Sequence, residues 1–442
     1  MRTLGLLLTM FALAATPAAA APWSSPAPIP GAPDAVPVLA ESAGGPQAVY
    51  WGTFDPTKLQ SPITAFVSVL GTGPTPQPAA KLSPSLNVSQ AALYGNRHVA
   101  LATFGNATVK VPGSLVGVAT GPLKGPMKTH ALPAEVRSLA GNAAGDLAVM
   151  IEHCATNVGG CHPSAPAVVL DRPGRGFGDP ITLDRKGHSF GGSLAIDAHG
   201  RVLAAWDRAG VVYARFVSIK GKLSPIQRLG TDTGGGFNVV LSNDGRAAVG
   251  WTTQTFSTAT APAVFAAKLA VAGASGHFGA TRTLETGQLT GTQSSIPYQG
   301  VVIKLPAGEP GLAAWTGYDG AHFTVRAAPI DGTTVGAPQT VSTPGTDTIL
   351  ADAAEGSRGQ AVILLLPGQA GADPTGTIAP AGMVAVTHPA GTQTFGLPEE
   401  VVPGPAYVAS AAVSIDAATG SVFATWRDVG SPAGWAVRAP LG

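Results

Sequence analysis

Charge is scarce in this chain: only 12% of its 442 residues are charged, and 26 lysines and arginines are balanced by 25 aspartates and glutamates. Without a basic excess it cannot neutralise a phosphate backbone or cling to an anionic bilayer, so nucleic acid is excluded as a partner. Long apolar runs are also missing. After residue 20 the longest is about Ala361 to Leu366, far short of the roughly 20 residues a membrane-crossing helix needs, so no membrane span is expected. Heptads and extended 3.6-residue periodicity are absent, which removes helical bundles and coiled coils. There is no G-x-x-x-x-G-K-[ST] loop and no H-E-x-x-H helix, and no cofactor is expected.

Cysteine is nearly absent as well, and the two that occur, Cys154 and Cys161, lie close together. Their compartment follows from the N-terminus. Arg2, the mostly apolar run Leu4 to Ala15 and the small residues Ala18-Ala19-Ala20 read as a signal peptide over residues 1–20. The chain is therefore expected to be secreted, with residues 21–442 as the mature domain. In an oxidising setting two neighbouring thiols read as a disulfide. His153 and His162 flank them and complete a zinc-like donor set, but that reading needs thiols kept reduced outside the cell, and no metal is expected.

What the chain has in abundance is turn residues, 58 Gly and 39 Pro, spread along its length and separating short runs of Val, Ile, Thr and aromatics. That pattern is all-β. A repeat organises it. Ser193 to Asp197, Arg201 to Trp206, Val211 to Phe216 and Ser224 to Leu229 read as four short strands A to D. A turn residue followed six positions later by a bulky one recurs as Gly45/Trp51, Gly95/Leu101, Gly145/Ile151, Gly200/Trp206, Gly245/Trp251, Glu309/Trp315, Gly359/Leu365 and Gly420/Trp426. The spacings of these anchors are those of four-stranded propeller blades. The fold predicted is a single β-propeller of four-stranded antiparallel blades, eight in number, with seven as the alternative because the first repeat is the most degenerate.

Strand D carries its own signature: Phe177 to Leu183, Leu223 to Leu229, Phe278 to Leu284, Val335 to Val341 and Phe395 to Val401, three of them with a proline at the fourth position and one at the third. Proline suits an outer edge, where a missing N–H breaks no ladder. The chain ends after a strand C, Trp435 to Ala439, while the missing D copy stands at Ser25 to Ile29. An N-terminal strand is thus expected to close the ring. The recurrent tryptophans, at one repeat position, are expected to pack between blades.

In such a blade the B–C and D–A loops open on one face, and a ligand is expected there. The residues after each anchor supply the candidates. Glu152 and Asp207 form a possible carboxylate pair for glycoside cleavage. His153, Arg208, Arg427 and Asp428 are neighbouring ligand contacts, and Tyr318 and Asp319 lie on a further loop. The plainer alternative is that Asp207 and Arg208 pair with Arg427 and Asp428 as surface ion pairs. Gly187-His-Ser189-Phe-Gly191 matches the G-x-S-x-G nucleophile pattern, but it links strand D of one blade to strand A of the next and reads as a connection.

The repeat pattern resembles secreted bacterial propellers of the broad sialidase-like and quinoprotein-like group. Ser242-Asn-Asp244-Gly245 places its glycine one residue earlier than a sialidase Asp-box, and Asp416-Ala-Ala-Thr419-Gly420 sets Trp426 two residues beyond the quinoprotein docking spacing. No arginine triad or vicinal cysteine pair accompanies them. The leading expectation is a secreted, non-catalytic propeller, a monomer, that binds an extracellular protein or glycan through loops on one face. A sialidase-like glycoside hydrolase and a structural cell-surface protein are the alternatives.

Overall fold

The computed structural model describes most of the chain between Trp23 and Leu441. Outside the description lie residues 1–22, 30–35, 43–44, 54–63, 71–75, 83–86, 105–115, 155–162, 187–188, 232–235, 256–261, 290–299, 370–378, 405–407 and 429–432, and residues 96, 133, 381, 393 and 442. The proposed signal peptide and Cys161 therefore fall outside the described residues, as do the side chains of His153, Cys154 and Asp428.

Eight antiparallel sheets, each with a four-strand A-to-D path, make up the described residues, which contain no helix. Blade 4 is representative: strand A is Ser189–Ile196, B is Val202–Arg208, C is Val211–Val217 and D is Gln227–Thr231. The innermost strands of successive blades pack side by side, and the circle is completed where Val408–Ile415 of blade 8 meets Val38–Ser42 of blade 1. Blade 8 takes its fourth strand from the N-terminus, as predicted. Ala27 and Pro28 pair with Trp435 and Gly434, and flanking bonds run from Ser24 N to Val437 O and from Ile29 N to Ala433 O, both 2.7 Å. Joining the two chain ends in one sheet leaves the ring no open edge.

The hydrophobic core is a set of seams between blades rather than one central mass. Trp51, Trp206, Trp251 and Trp315 are all fully buried in these seams, and Trp426 nearly so. Two of the indoles are also anchored by hydrogen bonds, Trp251 Nε1 to Thr231 O at 3.0 Å and Trp315 Nε1 to the Glu285 carboxylate at 2.7 Å. Close approach of blades needs small residues where backbones meet: a Cβ on Gly141 would collide with the Leu93 carbonyl of the preceding blade. Strand D is built differently from a plain edge strand. The first residue of its motif bridges to strand C, as in Phe177 to Asp171 and Leu223 to Val217, and the next residue donates its N–H to strand C. The proline then sits in the gap before the ladder resumes, so it costs no bond.

The A–B turns also match the repeat, with two corrections, the first in blade 1, where Gly45 already opens strand B and pairs with Ser42. Their glycines take left-handed φ, as at Gly200 (+73°) and Gly245 (+92°), but in blade 6 that residue is Gly308 (+76°), one position before the predicted Glu309. These turns are bonded to one another around one face. Asn142 Nδ2 donates to Asp197 O (3.0 Å), Ala198 N to Asn243 Oδ1 (2.7 Å) and Gly308 N to Asp244 Oδ2 (2.9 Å). On the channel wall, strand A carries a register shift in several blades, after which a polar side chain reaches the next blade. Ser138 Oγ accepts from Leu194 N at 3.3 Å, and Asp352 Oδ2 accepts from Val413 N at 3.0 Å. A bulge re-aims the following side chain, which is what lets inner-strand residues reach sideways.

Candidate functional site

The residues singled out in the sequence sit at the ends of strands B. Glu152 closes the regular pairing of Leu147–Cys154 in blade 3, is fully buried, and accepts a 2.7 Å ion pair from Arg137 Nε. Asp207 is buried in blade 4, and its Oδ1 lies 3.4 Å from Gly210 N in the B–C turn. Arg208 bonds to Asp184, in the connection from blade 3, and its guanidinium lies 4.1 Å above the Tyr213 ring. Among the described residues its carboxylate partner is thus Asp184. Tyr318 packs in an apolar cluster, tilted against Phe323 with ring centroids 5.5 Å apart. Asp319 is exposed and caps its own turn, accepting from Ala321 N (2.9 Å) and His322 N (2.7 Å), bonds that hold its carboxyl below the usual carboxylate range. Arg427 is half-buried on strand B of blade 8. Ser189 already lies in strand A of blade 4, so the G-x-S-x-G string makes no strand-to-helix turn.

A different set of side chains converges at the opposite mouth of the channel. There the ends of the innermost strands and the A–B turns enclose a cavity of about 930 Å³ to which all eight blades contribute. Glu41 enters from blade 1, Lys304 from blade 6, and Glu355 from blade 7, and Asp352 stands in the wall between blades 7 and 8. Arg97, with the uncommon φ of +73° for a side-chain-bearing residue, lines the mouth from blade 2. A non-glycine residue in this region marks a locally constrained backbone.

The electrostatics of this mouth are unusual. Glu41 is reachable by solvent but stands inside the ring with protein around it, so desolvation pushes its carboxyl from an ordinary 4.5 to about 7, against the pull of Lys304. Enclosure likewise lifts Glu355 to about 8, although Lys304 and Arg246 oppose the shift. Desolvation raises Asp352 too. It works in the other direction on Lys304, but the carboxylates of Asp352, Glu41 and Glu355 outweigh it and hold the ammonium above its ordinary range. Among the described residues no carboxylate oxygen lies within 4 Å of the Lys304 amine, and Glu355 Oε2 is buried without a hydrogen-bond partner. Four ionisable groups therefore feel one another across open space instead of closing into salt bridges.

Sequence reasoning missed this set because its members lie on three blades, from residue 41 to residue 355. A local signal was nevertheless present: innermost strands are mostly small and apolar, and Val-Ile-Lys304-Leu and Leu-Ala-Asp352-Ala-Ala-Glu355 interrupt that pattern with charge, as Glu135 and Arg137 also do in blade 3. Among the described residues no group of three His, Cys, Asp or Glu side chains is arranged to hold a metal ion.

No family model and no curated protein matches the chain. Solved structures with similar architecture include the polysaccharide lyase Uly1, at 10% identity over 95% of this chain and 100% of that one, with a TM-score of 0.45. A prolyl endopeptidase matches at 11% identity over 76% of this chain, with a TM-score of 0.41, and this chain spans only 47% of its length. The N11 neuraminidase-like protein of A/flat-faced bat/Peru/033/2010 matches at 10% identity over 73% of this chain and 93% of that one, with a TM-score of 0.39. The chain is an eight-bladed, all-β propeller.

Proposed function

We propose that the protein is an exported, non-catalytic binding propeller that takes a polar ligand into the channel mouth on its A–B turn face. The observation that supports this reading is the cavity of about 930 Å³ into which Glu41, Lys304 and Glu355 project without closing on one another. Convergent polar groups around a concave site are what a ligand site requires, and a purely structural spacer has no use for them. The burial of Glu152 in an ion pair with Arg137 weighs against placing ligand contact there. The reading is tested on a glycan array, with a pull-down of extracellular proteins alongside. Binding lost in Glu355→Ala and kept in Glu152→Gln and Asp207→Asn supports the A–B mouth; the reverse pattern moves the site to the B–C face. N-terminal sequencing of the exported protein tests cleavage after Ala20.

A glycoside-active enzyme is the second reading, and the observation in its favour is a carboxyl held protonated to about 8 at Glu355. A general acid for glycosidic cleavage needs a raised pKa of this kind. Turnover of any member of a chromogenic glycoside panel, lost in Glu355→Gln, would replace the non-catalytic reading with this one.

A further inference from the structure

We propose that the ligand of the A–B mouth carries a primary ammonium group, bound by the carboxylates that surround Lys304. The inference rests on the channel-mouth reading above and names its ligand class. Around Lys304 stand three carboxyl groups, Glu41, Asp352 and Glu355, from blades 1 and 7. The other charges felt by Glu355 are Arg246 and Glu309, from blades 5 and 6, and Arg97 lines the mouth from blade 2. Of the charges named, Glu41, Asp352, Glu355 and Glu309 are carboxyls and Lys304, Arg97 and Arg246 are cations, with Arg246 already paired to Asp244; among the described residues no carboxylate lies within ion-pair distance of the Lys304 amine. Glu355 Oε2, in the cavity lining, is buried with its hydrogen-bonding capacity unused. A buried carboxylate without a partner is costly, and it is relieved either by a proton or by a cation that brings its own donors.

At neutral pH the proton is what relieves it, since Glu41 and Glu355 titrate near 7 and 8. An ammonium group brings three N–H donors and one positive charge into the same space. An anionic ligand would instead meet these carboxyls as negative charge once pH passes about 8 and both have lost their protons. A bare divalent metal is disfavoured, because among the described residues no three carboxylates approach closely enough to ligate one. Binding of an ammonium is therefore an exchange in which the Glu355 proton leaves to solvent as the cation enters.

The test is calorimetric titration of the full chain with acetyl-trilysine amide, whose amines keep their charge to about pH 10, against acetyl-triglycine amide as the neutral control. Affinity for the lysine peptide is expected to rise about 100-fold between about pH 6 and about pH 9, since only the deprotonated Glu355 competes for it. Glu355→Gln is expected to abolish most of that pH dependence. Lys304→Met is expected to tighten binding at about pH 9, because it removes the cation that the three carboxyls surround; a ligand that is anionic or recognised through its acceptors would instead bind more weakly in this variant. Lys304→Gln repeats the measurement with a polar side chain, and circular dichroism confirms the fold of each variant.

Lysine-peptide binding that ignores pH and both positions, equal binding of the triglycine peptide, or weaker binding in Lys304→Met would each overturn the inference. Failure of every cationic probe, together with a glycan or protein whose binding is lost in Glu355→Ala, would overturn it while leaving the channel-mouth reading standing. Loss of the mouth itself as a binding site would show as ligands insensitive to Glu355→Ala.

Discussion

Two charge clusters share the A–B turn face and behave in opposite ways. At the seam of blades 5 and 6, Asp244 accepts from Arg246 Nε at 2.8 Å, from Arg246 N at 3.0 Å and from Gly308 N at 2.9 Å. Arg246 in turn donates to the carbonyls of Pro306 and Glu309 at 2.6 and 2.7 Å. Desolvation opposes the Asp244 charge, but these donors win and bring its carboxyl down to about 2. Inside the channel no such donors to Glu41 and Glu355 stand among the described residues, so desolvation decides and their carboxyls rise to about 7 and 8. Enclosure and donor supply act together on these carboxyls: Asp244 is the more exposed and is held by N–H groups, whereas Glu355 is more enclosed and its Oε2 has no donor among the described residues. The seam is thus a structural fastener whose valences are used internally, and the channel cluster is left with valences to offer.

Variants at each cluster sharpen this contrast, with the apolar seams as the reference for a purely structural position. Trp206→Ala, emptying a fully buried seam position, is expected to cost about 3 to 5 kcal/mol in urea denaturation; a loss below about 1 kcal/mol would mean the blades do not depend on this packing. Asp352→Ala removes the acceptor for Ala353 N and Val413 N and one of the carboxylates that balance Lys304. It is expected to cost about 2 to 4 kcal/mol, less for Asp352→Asn, which keeps an acceptor.

The next two effects have opposite signs. The Glu355 carboxyl is raised on folding, so its favourable contribution is present below about 4.5, its unfolded value, and is lost as pH rises through about 8. Glu355→Gln is therefore expected to stabilise the protein by about 1 to 2 kcal/mol near pH 9, after allowance for its partial solvation, and to change little near pH 4. Destabilisation at pH 9 would mean that the carboxylate is paired after all. Asp244 is depressed, so its contribution is present above its ordinary 3.8 and is lost as pH falls through about 2. Asp244→Asn is expected to cost about 1 kcal/mol at neutral pH once screening at this partly exposed position is allowed for, and nothing near pH 1. An equal and same-signed response of the two variants across pH would dissolve the distinction between fastener and site.

The legibility of the molecule followed its periodicity. The seam tryptophans, the turn glycines and the strand D motif were readable because each recurs in blade after blade, and blade geometry constrains each copy in the same way. Glu309 shows the limit: the bulky partner Trp315 was assigned correctly, but the turn glycine was one place earlier, at Gly308. Glu152, His153, Asp207 and Arg208 drew attention because strand periodicity puts them just beyond the anchors. Arg208 shows what that reasoning lacks, since its partner Asp184 comes from the neighbouring blade's connection and from no position the repeat would nominate.

By itself the sequence determined the all-β class, the blade repeat, the N-terminal strand that closes the ring and the aromatic seams, because these rest on local strand and turn preferences repeated along one chain. Tertiary structure alone decided which carboxyls share an enclosure with Lys304 and which are fastened by N–H donors. Glu41, Lys304, Asp352 and Glu355 meet only when blades 1, 6 and 7 are brought around one axis, and the field each feels depends on distances through space that no local pattern records.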